Sequence, residues 1–145
     1  MMIGGRSGME YFPDDKNHVY TIAQWYPRMC VFDDYEGWQN KQYLGGGEFA
    51  LSFGDYKVRL TVPADHIVGA TGWLQNPKEA LSPEQLKRFE QARTSFDQPL
   101  FIVTEEEARL KETQRAKAKK TWEFHANNVR DFAFAHSRKI GRAHV

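Results

Sequence analysis

One cysteine, Cys30, stands in 145 residues, so no disulfide can form within the chain. That leaves the compartment open, because exported proteins can also lack disulfides. No apolar run is long enough to span a membrane as a helix, and Met1-Met2-Ile3-Gly4-Gly5-Arg6 lacks the apolar stretch of a secretory signal. Charge of one sign is missing too. Twenty basic side chains against nineteen acidic ones give a formal charge of +1, which offers no field for nucleic acid or an anionic membrane. Histidines number five, at 18, 66, 125, 136 and 144, and none falls in the His-Glu-x-x-His spacing that holds zinc on a helix. Their scatter, with a lone cysteine, predicts no metal centre and no activated thiol; Cys30 reads as a small buried apolar side chain. No Lys-Ser or Lys-Thr follows Gly45-Gly46-Gly47, so that glycine run reads as a loop between strands rather than a phosphate cradle. Nor is there an internal repeat.

A hydrophobic share of 41% and an aromatic share of 14% suit one globular domain or part of a larger one. A chain of this length buries roughly two-thirds of its unfolded surface, enough for one core. The first sixteen residues, rich in Gly, Asp and Ser, read as irregular. Val19 to Gln24 is β-branched and aromatic and predicts a strand, broken near Pro27, which has no N–H to give a ladder. Asp33 to Gly47 reads as a loop carrying Trp38 and Tyr43. Phe49, Leu51 and Phe53 alternate with polar or small residues, as do Tyr56, Val58, Leu60 and Val62. With Gly54-Asp55 between them, the two runs predict a tight hairpin with its apolar side chains on one face. His66 to Ala70 predicts a further strand. Ser82-Pro83-Glu84-Gln85 carries a capping box and opens a helix with Leu86, Phe89 and Phe96 on its apolar stripe. Leu100 to Val103 reads as a short buried strand. Thr104 caps a second helix, whose Glu105-Glu106-Glu107 suits the positive end of the helix dipole. The basic run from Arg109 to Lys120 reads as a solvated face without the stacking aromatics of a nucleic-acid platform. Thr121 to Ala126 and Phe132 to Phe134 predict two more strands. The fold class is therefore mainly β and antiparallel, with one or two inserted helices.

A resemblance joins these pieces. Gly5 to Pro13, Gln24-Trp25-Tyr26-Pro27, Asp33-Asp34, Gly37-Trp38, Phe49, Tyr56 to Pro63, Ala70-Thr71-Gly72 and Asn128 to Ala135 follow one another in order. Together they resemble the N-terminal β-sandwich domain of the M1 family of zinc aminopeptidases, in a bacterial subgroup, up to about Lys139. The resemblance implies that residues 1–139 are the C-terminal part of such a domain, running into the start of an absent catalytic domain. Ile140 to Val145 resembles a translated sequencing adapter and reads as a non-native tail.

The implied activity is a peptidase whose zinc, held by two histidines and a glutamate, belongs to the full-length parent and not to this chain. The implied partners are the missing catalytic domain of the same polypeptide and a peptide substrate, with no nucleic acid and no membrane segment. The parent's destination is left open, export included. In the family a Gln-x-Glu or Gln-x-Gln pair on a strand contacts the substrate's amino end. Gln24 matches its first member and is the one candidate substrate-binding residue; Tyr26 occupies the second, a departure from the usual carboxylate or amide. No catalytic and no metal-binding residue is expected. The alternative is a freestanding β-sandwich module that binds a glycan or peptide through Trp25, Tyr26, Trp38 and Tyr43, residues that otherwise pack the sandwich.

Overall fold

The computed structural model describes residues 6–10, 18–42, 50–113 and 115–138. In chain order these form β1 (Arg6–Glu10), β2 (Val19–Ala23), β3 (Phe32–Asp33), β4 (Gly37–Trp38), β5 (Gly54–Pro63), β6 (Ile67–Ala70) and β7 (Trp73–Leu74). Three helices follow, α1 (Pro77–Ala80), α2 (Pro83–Ala92) and α3 (Glu105–Thr113), and then β8 (Lys119–Val129) and β9 (Phe134–Ser137). The chain is mainly β, and every strand pair is antiparallel. One sheet has the order β1-β2-β9-β6, a second β5-β8-β7, and β3 with β4 makes a small ribbon. No helix among the described residues is long and apolar enough to cross a membrane.

The strongest sequence pattern places the right side chains inward but names the wrong neighbour. Tyr56, Val58, Leu60 and Val62 do alternate inward along β5. Their partners, however, come from β8: Tyr56 faces Ala126, Val58 faces Phe124, and Leu60 faces Trp122. Residues 50–53 form no strand, and Phe53 is 64% exposed. Phe49 lies outside the described residues. Gly54 lacks the positive φ that the expected turn requires and instead opens β5, with a bulge before Tyr56. Pairing with β8 gives β5 the large apolar partners Trp122 and Phe124, and this burial outweighs a short local turn.

Four further expectations change. The opening residues are not wholly irregular, because the backbone of Arg6–Glu10 pairs with β2 from Arg6↔Ala23 to Glu10↔Val19. The loop expected from Asp33 holds the β3–β4 turn, where Gly37 takes φ +72°; Tyr43 and the glycine run at 45–47 lie outside the described residues. Leu100 to Val103 is not a strand: Phe101 is 81% exposed and only Val103 is buried. Finally, Phe132 precedes β9 instead of joining it, and it is fully buried.

Trp122 and Phe132 centre one core that draws Leu60 and Val62 from β5, Val68 from β6, Phe124 and Ala126 from β8, and Ala80 and Leu81 from the α1 region. Both larger sheets therefore contribute to the same core. Leu86 and Phe89 of α2 pack against it, whereas Phe96 lies beyond the helix and is exposed. The α2 capping box forms as expected: Ser82 Oγ accepts from the Gln85 N–H, and Gln85 Oε1 accepts from the Ser82 N–H. Thr104 and Glu107 make the same exchange at α3. Ser82→Ala should cost about 1 kcal/mol, read as a lower denaturant midpoint with an unchanged slope.

Candidate functional site

Gln24 follows directly on β2 and turns the chain through φ +49°, a left-handed conformation uncommon for a residue with a side chain. What comes after it is bolted down. Trp25 donates its indole N–H to the carbonyl of Phe132 at 3.0 Å and meets the Phe134 ring edge-on, with centroids 5.6 Å apart. The Tyr26 hydroxyl lies 2.7 Å from the Tyr56 hydroxyl and 2.9 Å from Asp131 Oδ1. With a single proton to give, Tyr26 donates to the carboxylate and accepts from Tyr56. Arg28 closes the clamp, donating to the carbonyls of Arg130 at 2.6 Å and Ser52 at 2.7 Å. Its guanidinium also stands 5.7 Å from the Tyr26 ring centroid and 3.4 Å from Asp131 Oδ1.

This arrangement decides what Tyr26 can do. Burial, then the hydrogen bonds to Tyr56 and Asp131, push its pKa well above the ordinary phenol value, against a small opposing pull from Arg28. Tyr26 is a neutral donor in use as an anchor, and it offers no charge to an ammonium group. The carboxylate at this corner is Asp131, half-buried and bridged to Tyr26 and Arg28. Asp131 sits within Asn128 to Ala135, one of the stretches that carry the resemblance, but nothing local ties it to Tyr26, 105 residues away. Tyr26→Phe should strand the Tyr56 hydroxyl and leave Asp131 Oδ1 with its longer contact to Arg28. Its cost is expected at roughly 1–2 kcal/mol by denaturant unfolding.

The second cluster overturns the picture of scattered histidines. His66 immediately precedes β6 and His136 lies on β9, and their Nδ1 atoms are 2.8 Å apart. Tyr20, on β2, stacks on His136 at 4.7 Å between centroids. Beside them the buried Asp65 accepts from Arg138 at 3.0 Å and from the Ala116 N–H at 3.1 Å. Burial opposes the charge on Asp65, but the Ala116 N–H and Arg138 outweigh it and hold the pKa below the usual carboxylate value. His66 is pushed down to about 4, first by burial, then by Arg138 and His136, with Asp65 opposing. Burial lowers His136 as well.

Two imidazoles fall short of the three or four ligands that zinc needs. Among the described residues no group of three or more His, Cys, Asp or Glu converges where it could hold a metal ion. His125 belongs to the other sheet, opposite Lys57 and Trp73, and His144 is outside the described residues. The residues described therefore do not fit a zinc site.

The aromatic residues considered as one platform are divided. Trp25 and Tyr26 turn onto residues 131–134, while Trp38 packs edge-on against Phe32 at 5.2 Å on the β3–β4 ribbon. Phe32, Trp38 and the turn residue Tyr35 are all exposed. Asp33 fixes that turn by accepting from the N–H groups of Tyr35 and Glu36. Cys30 is buried and free. In the basic run, Lys120 donates to the Ala80 carbonyl at 2.9 Å and Arg109 pairs with Glu105 at 2.7 Å.

Set against known proteins, the chain matches no family model, no curated protein and no solved structure.

Proposed function

We propose that this chain is the non-catalytic N-terminal β domain of an M1-like zinc metallopeptidase, an aminopeptidase. It walls one side of the parent's active-site cleft and helps position the peptide's amino end, with Gln24 as the contact. No bond-breaking step is assigned to its own residues. The observation that carries this reading is the meeting of two landmark segments of the resemblance. Gln24-Trp25-Tyr26-Pro27 is clamped to the 128–135 stretch through Trp25–Phe132 and Tyr26–Asp131, contacts that span more than a hundred positions. A left-handed residue held beside such a clamp has a fixed direction, which a positioning contact requires.

The purified chain, supplied with zinc and chromogenic aminoacyl substrates, should show no turnover above the blank. Zinc-dependent turnover that survives repurification sinks the proposal. Reading the genomic DNA past codon 139 should show an open frame continuing to a His-Glu-x-x-His helix, and a frame that ends without one removes the peptidase assignment. The second reading, a freestanding glycan- or peptide-binding module, draws on the exposed Phe32–Trp38 pair and Tyr35. Saturable binding on a glycan or peptide array that Trp38→Ala abolishes favours that module instead.

A further inference from the structure

We propose that His66 and His136 form an acid-released latch that fastens β6 to the central strand β9. The latch follows from where the protons must be. Two Nδ1 atoms sit 2.8 Å apart only if one carries a hydrogen and the other a bare lone pair. A proton added to the accepting Nδ1 would set two N–H groups against each other and break the contact, whereas one added to the donor ring's Nε2 leaves the contact intact but makes a cation. That cation is itself unwelcome. His66 is 3% exposed, and its Nε2 has no hydrogen-bond partner among the described residues. An imidazolium here would therefore be a buried cation with an unsatisfied N–H.

The surroundings do not rescue it. Arg138 from the end of β9 and Arg115 from the segment before β8 both oppose a positive charge on His66. Asp65 favours the charge, but its Oδ2 is committed to Arg138 and to the Ala116 N–H. From β2, Tyr20 presents a ring face to both imidazoles, and His18 meets that ring edge-on.

The fold dictates which end gives way. His136 lies opposite Val68 of β6 and Tyr20 of β2, so it holds the strand that both neighbours share. At the far end of β6 the Thr71 N–H donates to the Ala133 carbonyl and the Ala133 N–H donates to Thr71 Oγ1, at 2.9 and 3.1 Å. Neither bond titrates in this range. Acid therefore loosens β6 from Ile67 towards Ala70 and leaves the β5–β8 ladder closed.

The sign is set by which form binds the proton better. The open form has an ordinary histidine near 6.5, whereas His66 in the closed form resists down to about 4. Opening grows as the pH falls through about 6.5 and levels off below about 4.

The test is NMR on the full chain with 15N-labelled histidine. Near neutral pH a 15N–15N coupling across the hydrogen bond should link the two Nδ1 atoms. On acidification to about pH 4 that coupling should vanish, with amide protection of residues 67–70 falling on the order of a hundredfold. Amides of Tyr56–Val62 should change by less than about threefold over the same range. His136→Gln, whose amide can still accept from His66, should reduce the pH dependence of residues 67–70 without abolishing it, because His66 stays buried beside Arg138. The proposal is overturned if no coupling exists at neutral pH. It is equally overturned if both histidines titrate near 6.5 with the strand intact, or if both sheets lose protection together.

Discussion

Gly72→Ala is expected to abolish cooperative folding, or to lower stability by more than about 3 kcal/mol out of the roughly 5–15 that a domain possesses. Gly72 sits at φ +90°, between the Thr71–Ala133 hydrogen bonds and the short strand β7. A methyl group there would lie 2.3 Å from the His125 carbonyl oxygen and 2.7 Å from Ala126 Cβ. The obstacle is the backbone of β8, which cannot swing aside as a side-chain tip would. Left-handed strain of about 1–2 kcal/mol adds to the displacement of that strand. Gly37→Ala is the comparison. It also has a positive φ, +72°, but its added carbon would meet nothing closer than Phe32 Cε2 at 3.8 Å, so only the conformational strain remains. Urea unfolding of both variants checks this: a Gly72→Ala midpoint equal to that of Gly37→Ala contradicts the packing described here.

Trp122→Ala should be comparably severe, at roughly 3–5 kcal/mol, since it empties the largest side chain from the centre of the core. Trp122 is 1% exposed, lies opposite Leu60 on β5, and belongs to the same cluster as Phe132 and Phe124. Its indole N–H is buried and finds no acceptor among the described residues. Trp122→Phe therefore removes an unpaired donor along with some volume, and the two effects oppose each other. Its loss should be under about half that of the alanine variant, as measured by denaturant midpoint. A phenylalanine variant as weak as the alanine variant would show that the indole makes a bond this fold does not provide.

Local chemistry was legible in the sequence and distant pairing was not. The Ser82–Gln85 capping box and the Thr104 cap lie within one helical turn, so their residues announce them. Period-two alternation likewise identified the inward face of β5, from Tyr56 to Val62. The neighbour of that strand was not legible, because Gly54-Asp55 has the composition of a tight turn and the apolar run before it is closer in sequence than β8. Burial against Trp122 and Phe124 outweighs that proximity.

The site divides in the same way. Gln24 stood out through a motif, yet the clamp that orients it joins Tyr26 to Asp131 across 105 positions. His66 and His136, 70 positions apart, have no spacing that marks them as a pair; strand order brings them together. Exposed aromatics such as Phe101 show the converse, where an apolar run from Leu100 to Val103 buries only its last member fully.

We propose that these residues form a positioning scaffold and hold no catalytic metal of their own. Elemental analysis of the purified chain, loaded with zinc and then dialysed against a weak chelator, tests it most directly. Far less than one zinc per chain is expected, with no change in unfolding midpoint on loading. One zinc retained per chain, with a raised midpoint that disappears when His66 or His136 is replaced, would contradict it.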